Sequence, residues 1–184
     1  GTITTTLTIA PLQTRGDWAW VPGFTWGPDG NVLYATTHLP PEDSQLFDLL
    51  AIPLTGGSPL TLVPQAGMFS YPVASPLQER KTGEMYYQVA YLQAIFPTQS
   101  ETSRYRLEIM DRDGSNRRII FPPEGEPGLE PQQVVWSPAP IMESGAYGIA
   151  LIYQGNMWLV DVESGEAQQV TGDGLVSKID WILP

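Results

Sequence analysis

Cysteine is absent from this chain of 184 residues, and histidine occurs once, as His38. Without cysteine the chain has no disulfide, no thiol nucleophile and no thiolate metal ligand, and its redox compartment stays open. The histidine precedes a Leu-Pro-Pro stretch, which is typical of an exposed loop rather than of a catalytic or metal-binding position. Serine never occurs in the Gly-x-Ser-x-Gly arrangement of hydrolase nucleophiles. We therefore predict a protein that is not an enzyme and that holds no metal ion or cofactor.

Positive charge is scarce as well, since 9 Lys and Arg face 20 Asp and Glu and the net charge is −11. Affinity for nucleic acid comes largely from clustered cations, so we expect no nucleic-acid partner, and anionic membrane surfaces are disfavoured for the same reason. Apolar residues make up 42% of the chain, but no apolar run approaches the roughly 18 residues of a membrane span. The sequence therefore predicts no membrane insertion.

The basic residues that do occur are concentrated in one stretch. Five of the nine lie between positions 104 and 118, namely Arg104, Arg106, Arg112, Arg117 and Arg118. On a strand, Arg104 and Arg106 would share one face. One interpretation is a solvated face with cross-strand ion pairs, and the other is a docking patch for an acidic partner. Arg104 and Arg106 are therefore candidates for partner contact.

Glycine and proline are abundant, with 18 of each, and both residues interrupt helices. A short phrase recurs four times, in which an apolar strand closes on an aromatic residue and a proline turn. Its copies are residues 24–30, 71–76, 134–138 and 179–184, although Ala74 replaces the aromatic residue of the second copy. The prolines at 28, 76, 138 and 184 lie 48, 62 and 46 residues apart. A period of roughly 40 to 50 residues is typical of propeller blades or other stacked repeats.

A second repeated phrase strengthens this interpretation. Residues 47–56 align with residues 105–114 without a gap, and residues 156–165 form a third copy with one extra residue in its turn. Each copy runs into a glycine corner and a further short apolar run, which is the pattern of a β-hairpin. Further β-rich segments follow the first three proline corners, at 31–36, 85–91 and 147–153. Each period thus holds four short strands, as a propeller blade does.

The turn at Asp111-Arg-Asp-Gly-Ser-Asn116 begins like an EF-hand calcium loop. Such a loop needs glycine at its sixth position and glutamate at its twelfth. Those positions are Asn116 and Pro122 in this chain. We therefore predict a hairpin turn in which Asp and Asn side chains bind the local backbone.

The Trp-Gly-Pro-Asp-Gly and Trp-Ser-Pro corners, together with Ile-Met-Asp-Arg-Asp-Gly-Ser-Asn, resemble the repeats of TolB-type propellers, also called WD40-like or PD40 repeats. The resemblance extends from about Thr2 to Pro184. It implies an all-β β-propeller of four-stranded antiparallel blades and an extracytoplasmic location in a bacterium, whether periplasmic, at the cell surface or secreted. The chain departs from the family pattern at two places. Ala74 replaces the aromatic residue of the second corner, and Ala139-Pro140 stand where Asp-Gly would be expected.

Strand counting predicts an incomplete propeller within a single domain of residues 1–184. Three full blades are expected at residues 24–63, 69–121 and 132–171. Residues 2–9 and 176–183 are expected to form single strands of two further part-blades. Closed propellers use about four to eight blades, so the chain would then be a segment of a larger propeller, or two copies would associate. Association would use the terminal strands, because bare strand edges invite the addition of another strand.

Two loops are not explained by the repeat. Trp18 and Trp20 precede the first corner, where they could anchor a partner, stack on a sugar or cap the end of the blade stack. The insertion at residues 92–102 lengthens the second period, and its tip at Phe96 is an apolar element suited to a neighbouring domain. Trp18, Trp20 and Phe96 complete the candidate contact residues.

Three functions are compatible with these features. The first is a noncatalytic protein-interaction module in which rigid blades present loops to a protein partner. The second is the accessory propeller of a hydrolase related to prolyl oligopeptidase, whose nucleophile would lie in another domain. The third is a carbohydrate-binding propeller.

Overall fold

A computed structural model describes residues 8–9, 11–14, 16–41 and 44–181. These residues form three four-stranded antiparallel sheets and two short two-stranded ribbons, and no α-helix occurs among them. The prediction of an all-β fold built from four-stranded antiparallel sheets is confirmed.

The strands follow one another as β1 Leu12–Gln13, β2 Ala19–Trp20, β3 Phe24–Trp26, β4 Val32–His38, β5 Phe47–Pro53, β6 Leu60–Val63, β7 Val73–Ala74, β8 Gln78–Glu79, β9 Met85–Tyr86, β10 Gln88–Ala94, β11 Tyr105–Asp111, β12 Arg118–Phe121, β13 Val135–Trp136, β14 Gly148–Tyr153, β15 Asn156–Asp161 and β16 Ala167–Gln169. One turn of 3-10 helix lies at Pro97–Gln99. The first sheet is β3-β4-β5-β6, the second is β7-β10-β11-β12 and the third is β13-β14-β15-β16. β1 pairs with β2, and β8 pairs with β9. The three sheets fall within residues 24–63, 69–121 and 132–171, respectively.

Alternation of side chains gives each sheet two faces, and in the second sheet both faces contribute to a core. In β11, Tyr105, Leu107 and Ile109 are fully buried on one face, whereas Arg106 and Glu108 point to the other and are partly exposed. The hairpin after β11 turns at Gly114, which has a φ of +84°. A side chain there would be strained, so glycine suits this corner.

The second sheet lies between the other two. One of its faces packs on the first sheet, where Tyr34 and Leu49 meet Val89 and Tyr91. Its other face packs on the third sheet, in a larger core of residues that include Leu107. The strand β7 contacts both β3 and β13, so the first strands of the three sheets are neighbours. Burial between successive sheets is therefore the main apolar contribution to stability.

The proline corners are held by their serines. The Ser137 hydroxyl accepts a hydrogen bond from Gly148 N at 2.9 Å and donates to Ala139 O at 2.7 Å. Ser75 makes the equivalent pair of bonds in the second corner. The first corner has Gly27 instead, and a Cβ atom there would lie 2.6 Å from the Tyr87 hydroxyl. Each corner is thus fastened to the strand that follows it, or to the neighbouring sheet.

The described parts of the two predicted part-blades are not in strands. Residues 2–7 of the expected strand at 2–9 lie outside the described residues, and Thr8 and Ile9 are not in a strand. Of the expected strand at 176–183, residues 176–181 are not in a strand and the remainder is outside the described range. Residues 177–180 nevertheless lie beside β13, near Val135 and Ile152.

Two local predictions were wrong. His38 is not an exposed loop residue, because it ends β4, is half-buried and packs at a tilt against Phe47 with ring centroids 5.0 Å apart. The insertion at residues 92–102 begins inside β10, which extends to Ala94. The β8–β9 ribbon, which the sequence patterns did not indicate, adds to the length of the second period.

Candidate functional site

A hollow of about 440 Å³ that is rich in aromatic side chains lies beside the first strands of the sheets. We call it the aromatic hollow. The side chains that define it are Trp18, Val21, Phe24, Phe69, Tyr71 and Gln133. Trp18, Val21 and Phe24 are 39%, 66% and 58% exposed, so a large part of its apolar surface faces solvent.

The β1–β2 ribbon positions Trp18 on one side of the hollow. Thr14 closes the ribbon, because its backbone N and its hydroxyl both donate to Trp18 O, at 3.2 and 2.7 Å. Trp20 fastens the ribbon to the body of the protein through an indole hydrogen bond to Met68 O at 2.8 Å. The Trp20 ring also meets Phe47 edge-on, at 4.8 Å between centroids. The hollow therefore has a rigid wall rather than a loose loop on this side.

Three aromatic rings form the floor. Trp18 stacks on Phe69 with centroids 5.9 Å apart and an interplanar angle of 22°. Phe69 is in turn 5.9 Å from Tyr71. Gly23 admits this arrangement, because a Cβ atom there would lie 2.9 Å from the Tyr71 ring. Burial raises the pKa of Tyr71 above its usual value, so its hydroxyl stays neutral at physiological pH.

A groove of about 530 Å³ continues from the hollow along the first strands of the sheets. Phe24 and Gln133 line both cavities. The groove is bounded by β3, β7 and the segment at residues 132–135, and its charged side chains are Lys178 and Asp180. The hollow and the groove therefore adjoin, and together they form a concavity whose walls are partly apolar and partly polar.

The two predicted tryptophans have different roles. Trp18 lies in the hollow and is partly exposed, as a contact residue must be. Trp20 is only 2% exposed and its indole hydrogen bond is already made inside the protein, so it cannot be a surface contact. Phe96 is 62% exposed, but it lies in the loop between β10 and β11 and is not a lining residue of the hollow.

Two arginines of the basic stretch, Arg104 and Arg106, bind residues of nearby loops. Arg104 forms an ion pair with Glu130. Arg106 donates to the carbonyls of Pro122 and Pro123, at 2.8 Å each, and more weakly to Glu126 O at 3.4 Å. These bonds hold the segment that joins the second and third sheets. The structure therefore gives both arginines a positioning role, and neither lines the hollow or the groove.

Sequence patterns missed most of the hollow. Phe24 stands within the repeated phrase and reads as an ordinary strand residue, while Phe69 and Tyr71 are 45 or more positions along the chain from it. Only the clustering of Trp18 with Trp20 indicated this surface. No periodicity connects residues that meet through contacts between sheets.

The aromatic hollow presents side chains that suit contact with a ligand or a partner. Within the part of the chain that the structure describes, no group of three or more His, Asp or Glu side chains could hold a metal ion. The hollow itself offers aromatic faces and one neutral amide, that of Gln133. Such a surface suits an apolar group with a nearby hydrogen-bonding atom.

Comparison with known proteins adds no relative, because no family model, curated protein or solved structure matches the chain. Across the described residues, no helix has the length and apolar character that crossing a bilayer requires.

Proposed function

We propose that this chain is a noncatalytic protein-interaction module of the β-propeller type, in which the aromatic hollow receives an apolar side chain of a protein partner. The observation that carries the proposal is the exposed Trp18 ring, held in place by its stacking on Phe69. Aromatic residues dominate the energetics of protein interfaces, above all where they are rigid and surround a pocket. A fixed ring loses little conformational entropy when a partner binds.

The propeller architecture is part of the same proposal. Three four-stranded antiparallel sheets packed face to face, with their first strands as neighbours, are the arrangement expected of consecutive blades. The TolB-like corners support a propeller of that family and an extracytoplasmic bacterial location. The family and the location are both inferred from the resemblance of the repeats.

Carbohydrate binding is the second candidate, and the same ring favours it. Trp18 is 39% exposed beside the amide of Gln133, and a sugar ring could stack on the indole while the amide bonds a hydroxyl. We rank a protein partner first because Val21 and Phe24 extend the apolar rim well beyond the area that one sugar ring covers.

Site-specific photo-crosslinking in the source cells tests the proposal. A photoreactive amino acid at Val21, on the rim of the hollow, should give a defined adduct with another protein. The matched control is the same amino acid at Leu60, which is 60% exposed on β6, outside the hollow. Trp18→Ala should reduce the adduct at Val21 at least about tenfold, the effect expected for an aromatic hot spot.

Two outcomes contradict a protein partner. One is an adduct pattern at Val21 that does not differ from that at Leu60. The other is an adduct that Trp18→Ala leaves unchanged. Binding to a glycan array that is lost in Trp18→Ala, without any protein adduct, would establish the carbohydrate alternative instead.

A further inference from the structure

One corner position recurs in three successive sheets, and tryptophan occupies it in two of them. In the first strand of each sheet, Trp26, Ala74 and Trp136 are equivalent, and they pair with Leu33, Val89 and Ile149 of the next strand. Since neighbouring pairs in an antiparallel sheet point to the same side, each corner residue lies on the face that its sheet turns toward the preceding sheet.

Trp136 shows what this position does when a preceding sheet is present. It is 6% exposed, it belongs to the core between the second and third sheets, and its indole donates to Val73 O at 3.0 Å. The ring therefore fastens one sheet to the first strand of the sheet before it. Ala74 cannot form this bond, so the first and second sheets are joined by other contacts.

Trp26 is the same residue in the same place, yet it is 56% exposed. Phe24, two positions earlier on the same face, is 58% exposed, and the neighbouring Leu33 and Leu50 are half-buried. We call these four residues the Trp26 face. Farther out on this side of the sheet Ile52 is buried, so the exposed strip lies along β3. An exposed apolar surface of this kind marks an interaction site.

The opposite end of the stack carries the complementary surface. In the second sheet, the side that packs on the third sheet presents Val73, Leu92, Leu107 and Ile109. The strand registers make Val135, Ile152, Met157 and Leu159 their equivalents in the third sheet. These four residues, which we call the Met157 face, are all half-buried. Residues 177–180 lie beside its inner end.

We propose that the Trp26 face binds the Met157 face of a second copy of this chain, with residues 177–180 of that copy at the inner edge of the contact. The argument is continuity with an established interface. Both contacts between sheets in this chain join a face of the first kind to a face of the second kind, and among the described residues one copy carries one further face of each kind that no sheet covers. Trp26 then packs between two sheets across the dimer contact, as Trp136 packs between two sheets within the chain.

A head-to-tail contact of this kind closes when two copies are related by a two-fold axis, because each copy then supplies both faces. The occupant is thus a second copy, and no face is left unpaired in the dimer. The Trp26 face shares Phe24 with the aromatic hollow, but Trp26, Leu33 and Leu50 do not line the hollow, so the inference rests on residues outside it.

The association state of the purified chain provides the first test. Sedimentation velocity over a concentration series should show a reversible dimer. Trp26→Ser should raise its dissociation constant at least about tenfold, as expected for the loss of an interface hot spot. Leu60→Ser is the matched control, because it also removes an exposed leucine from the first sheet and should leave the dimer unchanged. Far-ultraviolet circular dichroism establishes that both variants are folded.

Crosslinking tests the orientation, and the cysteine-free chain makes it direct. Leu33→Cys and Met157→Cys chains, mixed and treated with a short bismaleimide, should form a mixed dimer. Each variant alone should crosslink far less. A strictly monomeric chain, a dimer that Trp26→Ser does not weaken, or crosslinks mainly between two Leu33→Cys chains would overturn the proposal. Failure of the Val21 crosslinking experiment would leave it untouched.

Discussion

Replacing Trp20 should destabilise the fold more than replacing Trp18, because Trp20 is almost completely buried whereas Trp18 is partly exposed. Trp20 is 2% exposed, packs on Phe47 and donates its indole hydrogen to the buried Met68 carbonyl. Trp20→Phe keeps an aromatic ring but leaves that carbonyl unpaired and a small void, which together cost about 2 kcal/mol of unfolding free energy. Trp20→Ala removes the ring as well and should cost about 3–5 kcal/mol.

Urea unfolding followed by circular dichroism measures these differences, because the backbone signal does not depend on the tryptophan that is removed. Trp18→Ala serves as the comparison with Trp20→Ala, since the same side chain is removed from a partly exposed position and should cost less unfolding free energy there. The slope of the unfolding free energy against urea should be the same in all variants. The reasoning is refuted if Trp20→Phe is as stable as the parent chain, or if Trp18→Ala is less stable than Trp20→Ala.

Two further predictions concern the third sheet. Ser137→Ala removes both hydrogen bonds of the Ser137 hydroxyl and leaves the Gly148 amide without its partner. The free energy of unfolding should therefore fall by about 1–3 kcal/mol. Ser137→Thr keeps the hydroxyl and should lose less. Burial opposes ionisation of Asp161, but hydrogen bonds from Ser144, Ser164 and Glu163 outweigh it and hold the pKa of this carboxyl below its ordinary value of 3.8. The stability that Asp161 contributes is therefore present above that ordinary value and is lost as the pH falls through its lower pKa in the folded state. Urea midpoints measured between pH 6 and pH 2 should fall less steeply in Asp161→Asn, and equal slopes would contradict this assignment.

The strands were predictable because their signals are local. Alternating apolar residues, as in residues 105–109, and glycine at tight corners such as Gly114 specify a hairpin wherever they stand in the chain. Four such runs per period indicate a four-stranded sheet. The His38 prediction was wrong because two prolines after a strand look the same as two prolines within a loop.

The contact surface was less predictable. Trp18 and Trp20 are two positions apart, yet Trp18 is partly exposed and Trp20 is buried. The buried Trp20 donates its indole hydrogen bond to the carbonyl of Met68, which lies 48 positions farther along the chain. The clustering of the arginines left an ion-paired face and a docking patch both open, and it did not identify Glu130 as the ion-pair partner of Arg104. Each outcome depends on a partner that no local pattern names.

The sequence by itself determined the all-β class and the three-fold recurrence of a four-stranded antiparallel sheet, because hydrogen bonding between adjacent strands and turn chemistry act over a few residues. Only the tertiary structure decided which repeated residues join one sheet to the next and which lie on the surface. Trp26 and Trp136 occupy the same place in the repeat, and a preceding sheet covers one of them alone within this chain. Burial depends on what lies across the interface, and that is a property of the packed molecule rather than of any stretch of its sequence.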